Sequence, residues 1–187
     1  MSKFESFHNK ISSSGFISIF FAVFVLFFAA FRIVTPEFEK LSGGLRIPDI
    51  AIVANANDIY SLFKSYGQEG RAFYNYIQAM DAVYPLSYGL FFISLIYFYI
   101  KKLFKKNSAA GYLIIVPYIT ACSDYGENIC IFIINRSFPA KFGIAADMAL
   151  LFSYMKWFFF MLSVSIILLG TITFFIKKAS GKIGPEE

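Results

Sequence analysis

The chain has 187 residues, of which 58% are hydrophobic, 20% aromatic and only 16% charged. A soluble domain carries about 25% charged and about 45–50% apolar residues, so this composition excludes an ordinary soluble globule and a disordered chain. The formal net charge of +5 does not point to nucleic acid, because the basic residues sit at the ends of apolar runs, where they orient a membrane protein.

Four apolar stretches are long enough to span a bilayer as helices, which takes about 20 residues. They cover residues 16–34, 81–100, 110–134 and 152–176. The first follows Lys3 and Lys10, as a secretory signal would. Its length, and Phe28 at the −3 position of a cut after Ala30, favour a retained helix. The fold class expected is all-α: a four-helix transmembrane bundle in a single domain over residues 1–187.

Between the first and second spans, residues 35–80 are too polar for lipid and too long for a turn. Pro36, Pro48, Gly43 and Gly44 act as breakers. Two short helices follow. Asn57 or Asp58 caps the first, with Ile59, Leu62 and Phe63 on its apolar face. The second starts near Arg71 and runs into span 2, with Gly67 and Gly70 as punctuation. The segment reads either as a partly helical extracytoplasmic cap on the bundle or as a solvated loop with interfacial aromatics.

Orientation follows from the lysines. Lys3, Lys10, Lys101, Lys102, Lys105, Lys106, Lys177, Lys178 and Lys182 fall on one side, accompanied only by the acids Glu5, Glu186 and Glu187. The positive-inside rule puts that side, and both termini, in the cytoplasm.

Ionisable groups inside a span are costly and default to functional candidates. Arg32 on helix 1, Asp81 on helix 2, Asp124 and Glu127 on helix 3, and Lys156 on helix 4 all fall between about 21 and 30 Å from their cytoplasmic ends at ~1.5 Å per residue. Three acids and two bases thus share one layer. On helix 3, Thr120, Asp124, Glu127 and Asn128 follow i, i+4, i+7 and i+8, one face that cannot look at lipid. Pro117 on the same side is expected to kink the helix. On helix 2, Tyr74, Gln78 and Asp81 share a face that Tyr88 extends. Ser153 and Ser163 share the Lys156 side of helix 4, and Trp157 reads as an interfacial anchor. The layer reads either as a pocket open to the outer side or as a closed ion-pair network that fixes helix register. In the pocket reading, Asp124, Glu127 and Lys156 are the candidate catalytic residues. Arg32, Tyr74, Gln78, Asp81, Tyr88 and Asn128 are the candidate binding residues.

Three carboxylates suit a divalent cation, but the two nearby bases argue against it, so neither metal nor cofactor is expected. Cys122 and Cys130 lie eight positions apart on one helix, about 12 Å, too far for a disulfide. His8 stands alone near the N-terminus and is expected to be solvated. Gly89 and Gly170 are close-packing candidates. Asn135-Arg136-Ser137 matches a glycosylation sequon, of consequence only in a eukaryotic source.

The residues GQEGRAFY (67–74), MDAVYPLSYG (80–89), SDYGEN (123–128) and MKW (155–157) resemble a pattern of small four-span, mostly bacterial membrane proteins of unassigned activity. That resemblance implies an integral protein of a bacterial inner membrane and carries no activity. Four membrane helices with buried acids and many aromatics are also similar in plan to the emopamil-binding, sterol-isomerase type, a fold-level analogy only.

Three functions compete. In the first, the pocket binds or modifies a lipid-like molecule, with Asp124 or Glu127 as acid or base and Lys156 or Arg32 on an anionic head group. In the second, buried acids relay protons in a small transporter, although the inner half of the bundle is dry and no inverted repeat is visible. In the third, the chain is a non-catalytic membrane subunit with a structural ion-pair network. The bilayer is the one partner expected in every case; protein partners are not specified and nucleic acid is not expected.

Overall fold

In a computed structural model, residues 3–51, 53, 55–105 and 108–182 are described. Lys106, Glu186 and Glu187 of the charge count lie outside these residues. Among the described residues there is no strand. The helices are α1 (Lys3–Ile11), α2 (Ser14–Leu41), α3 (Ala56–Ser65), α4 (Gly67–Asp81), α5 (Tyr84–Leu103), α6 (Ile115–Ser137) and α7 (Gly143–Ala179), with 3-10 turns at Pro48–Ile50 and Ala109–Ile114. Among the described residues, three stretches are long and apolar enough to cross a membrane: Ser14–Leu41, Gly67–Leu103 and Gly143–Ala179. The third expected span, 110–134, corresponds to α6. Its 23 residues are enough for about 34 Å, but Asp124, Glu127 and Asn128 on one face lower its hydropathy. It also starts at Ile115 rather than 110, after the 3-10 turn.

α5 lies centrally, with α2 along one side and α6 and α7 on the other; α6 and α7 make the longest contact. α2 leans on α4 and α5 and has at most marginal contact with α7. Both α2 and α7 present large apolar side chains outward, among them Leu26, Ile33, Phe158, Leu169 and Phe175. Such a surface is stable only against an apolar medium or a partner.

Residues 38–77 form a second core with the ends of α6 and α7. Phe38, Phe63, Tyr66 and Tyr74 are buried together with Ile131, Ile134 and Ala149. Phe38 meets Tyr66 edge-on with ring centroids 4.9 Å apart. This packing explains why Pro36 does not break α2. The ring removes only the hydrogen bond to the Arg32 carbonyl, and burial of Phe38 holds the next turn. α2 ends instead at Gly43 and Gly44, both at positive φ. The Gly44 N–H bonds to Glu39 O at 2.7 Å, a Schellman closure.

Several local expectations are corrected. The cap of α3 is Asn55, whose side chain accepts from the Asn57 and Asp58 N–H groups while Asp58 bonds back to the Asn55 N–H; Asp58 is the N3 member of this capping box. α4 starts at Gly67, at φ +65°, four residues before Arg71, and Gly70 lies within it. Pro117 sits in the first turn of α6, where no N–H is needed and proline is tolerated. His8 is buried rather than solvated. Its Nδ1 lies 2.7 Å from Phe4 O and its Nε2 2.9 Å from the Tyr118 hydroxyl, so two ring nitrogens that water would have satisfied are matched within the protein. Cys122 and Cys130 are both free.

Gly170 is a close approach, as expected of a close-packing glycine. A Cβ there would lie 2.6 Å from Tyr99 Cδ2, and the Tyr99 hydroxyl is tied to Thr171 Oγ1 at 2.7 Å, so the ring cannot swing away freely. Gly170→Leu is expected to cost about 1–3 kcal/mol by overpacking, read as a lower unfolding midpoint in detergent; an unchanged midpoint would show that α5 and α7 part without penalty.

Candidate functional site

The polar face of α6 does turn inward. Thr120, Ser123, Asp124 and Glu127 are all buried. Thr120, Asp124 and Glu127 each meet a partner on another element, as buried polar groups tend to. The Thr120 hydroxyl lies 3.4 Å from Ser163 on α7. One level higher, the Tyr88 hydroxyl of α5 donates to Asp124 Oδ2 at 2.7 Å. Asn128 donates to the backbone carbonyl of Asp81 at 3.3 Å. That carbonyl needs an outside donor because Pro85, four residues on, has no N–H to offer.

Lys156 of α7 is the hub. Its Nζ lies 2.9 Å from Asp49 Oδ2 and 3.5 Å from Asp124 Oδ1, and it also contacts Glu127 Oε2. The lysine is only 6% exposed. Asp49 reaches it from the segment before α3, which is stapled down just ahead of Asp49. Ser42 Oγ donates to Leu45 O at 2.9 Å and the Tyr66 hydroxyl to Arg46 O at 2.6 Å. Burial, and then the nearby Asp49 carboxylate, push the Tyr66 hydroxyl well above its ordinary range, so it remains a donor. Ile47 and Pro48 are buried, and the 3-10 turn Pro48–Ile50 aims Asp49 inward.

Beside this hub is a cavity of about 550 Å³. Its floor carries Asp49, Asp81, Asp124 and Lys156. Its walls are apolar and aromatic: Phe28 and Phe31 of α2, Tyr84 and Tyr88 of α5, Trp157 and Phe160 of α7. Arg32, Glu39 and Arg46 stand at its rim. α2 and α7 both line it without packing along each other, so it lies in the gap between two apolar-surfaced helices. A second cavity of about 280 Å³ lies on the other side of Asp49 and reaches Glu127, Ser153 and Trp157.

The structure therefore brings together Asp81, Tyr88, Asp124 and Lys156 at one cavity, with Asn128 supporting Asp81 from behind. Glu127 joins them through Lys156 but lines the second cavity. Arg32 also lines the first, yet among the described residues it makes no ion pair. It is exposed, and its long side chain keeps the guanidinium out of the apolar layer. Tyr74 and Gln78 do not line the cavity. Tyr74 is packed in the aromatic core, and Gln78 accepts from Asn135 Nδ2 at 3.3 Å. Asn135 also donates to Asn75 at 3.1 Å, so the sequon amide is already engaged. Asp49 and Arg46 were not foreseen. The available sign was an acid bracketed by isoleucines in Ile47-Pro48-Asp49-Ile50.

Comparison of the chain with protein-family models, with curated proteins and with solved structures finds no match.

Proposed function

We propose that the chain is a four-span membrane protein that binds a lipid-like, amphipathic molecule in the cavity beside Lys156. In this reading α2, α5, α6 and α7 are the spans, and residues 35–80 cap the outer mouth. The α6 face supports its assignment as a span, because Thr120, Asp124, Glu127 and Asn128 meet partners within the protein and its remaining sides are apolar. The Lys177 ammonium donates to Leu103 O at 3.0 Å, which sets the basic ends of α5 and α7 side by side. The positive-inside rule then makes that end, with both termini, cytoplasmic, as in a bacterial inner membrane.

The observation that carries the binding reading is the cavity itself: aromatic walls for a chain, charged groups at the floor and rim for a head group, and a mouth between helices whose outer faces suit lipid. Binding sites combine apolar walls with a few convergent polar groups in this way. Asp81 and Asp124 face the head group at the floor, and Arg32 and Arg46 meet any anionic part of it at the rim. Lys156 is held by Glu127 and Asp49, and orients the acids.

The test is lipid retention. The purified chain in maltoside micelles is washed with EDTA-containing buffer and its bound lipid identified by native mass spectrometry. The wild type is expected to keep about one amphiphile per chain. The double variant Phe31→Trp, Phe160→Trp, which fills the cavity, is expected to lose it while keeping its helical circular dichroism. Equal lipid content in both would refute the reading.

A further inference from the structure

The sequence balanced three acids against two bases, and that balance was the ground for expecting no metal. The structure changes the count. Asp49 adds a fourth acid, and Arg32 withdraws to the exposed rim, without an ion pair among the described residues. Asp49, Asp81, Asp124 and Glu127 are left around a single ammonium, Lys156. Fully ionised, this group carries a formal charge of −3, next to apolar walls where uncompensated charge is costly.

The deficit is centred on Asp81. It is only 7% exposed, and among the described residues its carboxylate takes no hydrogen bond and no ion pair. Asn128 satisfies its backbone carbonyl, not its side chain. One oxygen from each of Asp49, Asp81 and Asp124 lies within 4.8 Å of the other two, so a point between them can sit within reach of all three.

We propose that Asp49, Asp81 and Asp124 bind a hard divalent cation at the floor of the cavity. The donors are all carboxylate oxygens, which select magnesium, calcium or manganese over softer metals. Three protein oxygens leave about half of a six-fold shell open toward the cavity, for water or an anionic oxygen of a ligand. Lys156 does not pre-empt the site: it touches one oxygen of Asp49, one of Asp124 and neither of Asp81. Glu127 holds the lysine on the far side. The three ligands come from three elements, the 3-10 turn, α4 and α6, so a bound cation ties the 35–80 segment to the bundle. The site does not depend on the lipid-binding reading.

Titration of the full-length chain with manganese tests this. After EDTA treatment and buffer exchange at pH 8 in maltoside micelles, free manganese is followed by electron paramagnetic resonance. The expected result is saturable binding of about one ion per chain, displaced by magnesium or calcium. Asp81→Asn and Asp49→Asn are each expected to weaken it at least about tenfold. Glu127→Gln, outside the triad, is expected to retain it. Asp49 lies on a turn outside the helices, so Asp49→Asn decides the matter if Asp81→Asn fails to fold. No saturable binding by the wild type, or equal binding by wild type and Asp49→Asn, overturns the proposal.

Discussion

Lys156→Met is expected to be among the most damaging single substitutions in the chain, at about 3–5 kcal/mol, the usual cost of removing one partner from a buried charged group. Methionine matches the aliphatic stem, so packing changes little and the loss reports charge. The ammonium touches Asp49, Asp124 and Glu127, and its removal leaves three carboxylates facing one another without a counter-ion. Two compensations should follow. Acidification should recover part of the midpoint, because protonated carboxyls need no cation, and Glu127→Gln added to Lys156→Met should recover part at neutral pH. The unfolding midpoint in detergent, followed by circular dichroism, measures all three. A loss below about 1 kcal/mol, the level of an exposed pair, would mean that water enters freely and that the cluster is not a desolvated hub.

The same residues show what a linear chain reveals and what it hides. Asp124, Glu127 and Asn128 were legible because helical periodicity is local: three polar groups on one face of an apolar run have one reasonable destination. Asp49 was hidden because its role depends on a contact with Lys156 across 107 positions, and an acid in an irregular segment looks solvated until its loop is seen stapled down. Tyr74, Gln78 and Asp81 do share one face of α4, but that face spans about 10 Å along the axis. It meets the aromatic core at one end and the cavity at the other, so common periodicity did not mean a common site. His8 misled for a related reason. Its partner Tyr118 is 110 positions away, and nothing nearby signals a buried imidazole. Pro36 was read as a stop because the rule for proline is local, whereas the energy that overrides it comes from Phe38 in a tertiary core.

That override makes Phe38→Ala a costly substitution as well. Phe38 is fully buried and its ring lies within 6.5 Å, centroid to centroid, of those of Tyr66, Phe73 and Tyr74. Truncating a buried phenylalanine costs about 3–5 kcal/mol through lost transfer energy and the void left behind. The consequence should extend beyond stability. The turn after Pro36 lacks one backbone hydrogen bond, and Phe38 is the buried anchor that keeps it helical. Without it the end of α2 should fray back toward Arg32, and α2 carries the Phe28 and Phe31 wall of the cavity. Phe38→Ala is thus expected to lower both the unfolding midpoint and lipid retention, although Phe38 does not line the cavity. Phe28→Ala is the contrast: Phe28 is 53% exposed, so its truncation should change stability by no more than about 0.5 kcal/mol while still opening the mouth. If Phe38→Ala keeps its lipid at a temperature where it remains folded, the cavity wall is held by α5 alone, and the aromatic core of the 35–80 segment has no part in shaping the site.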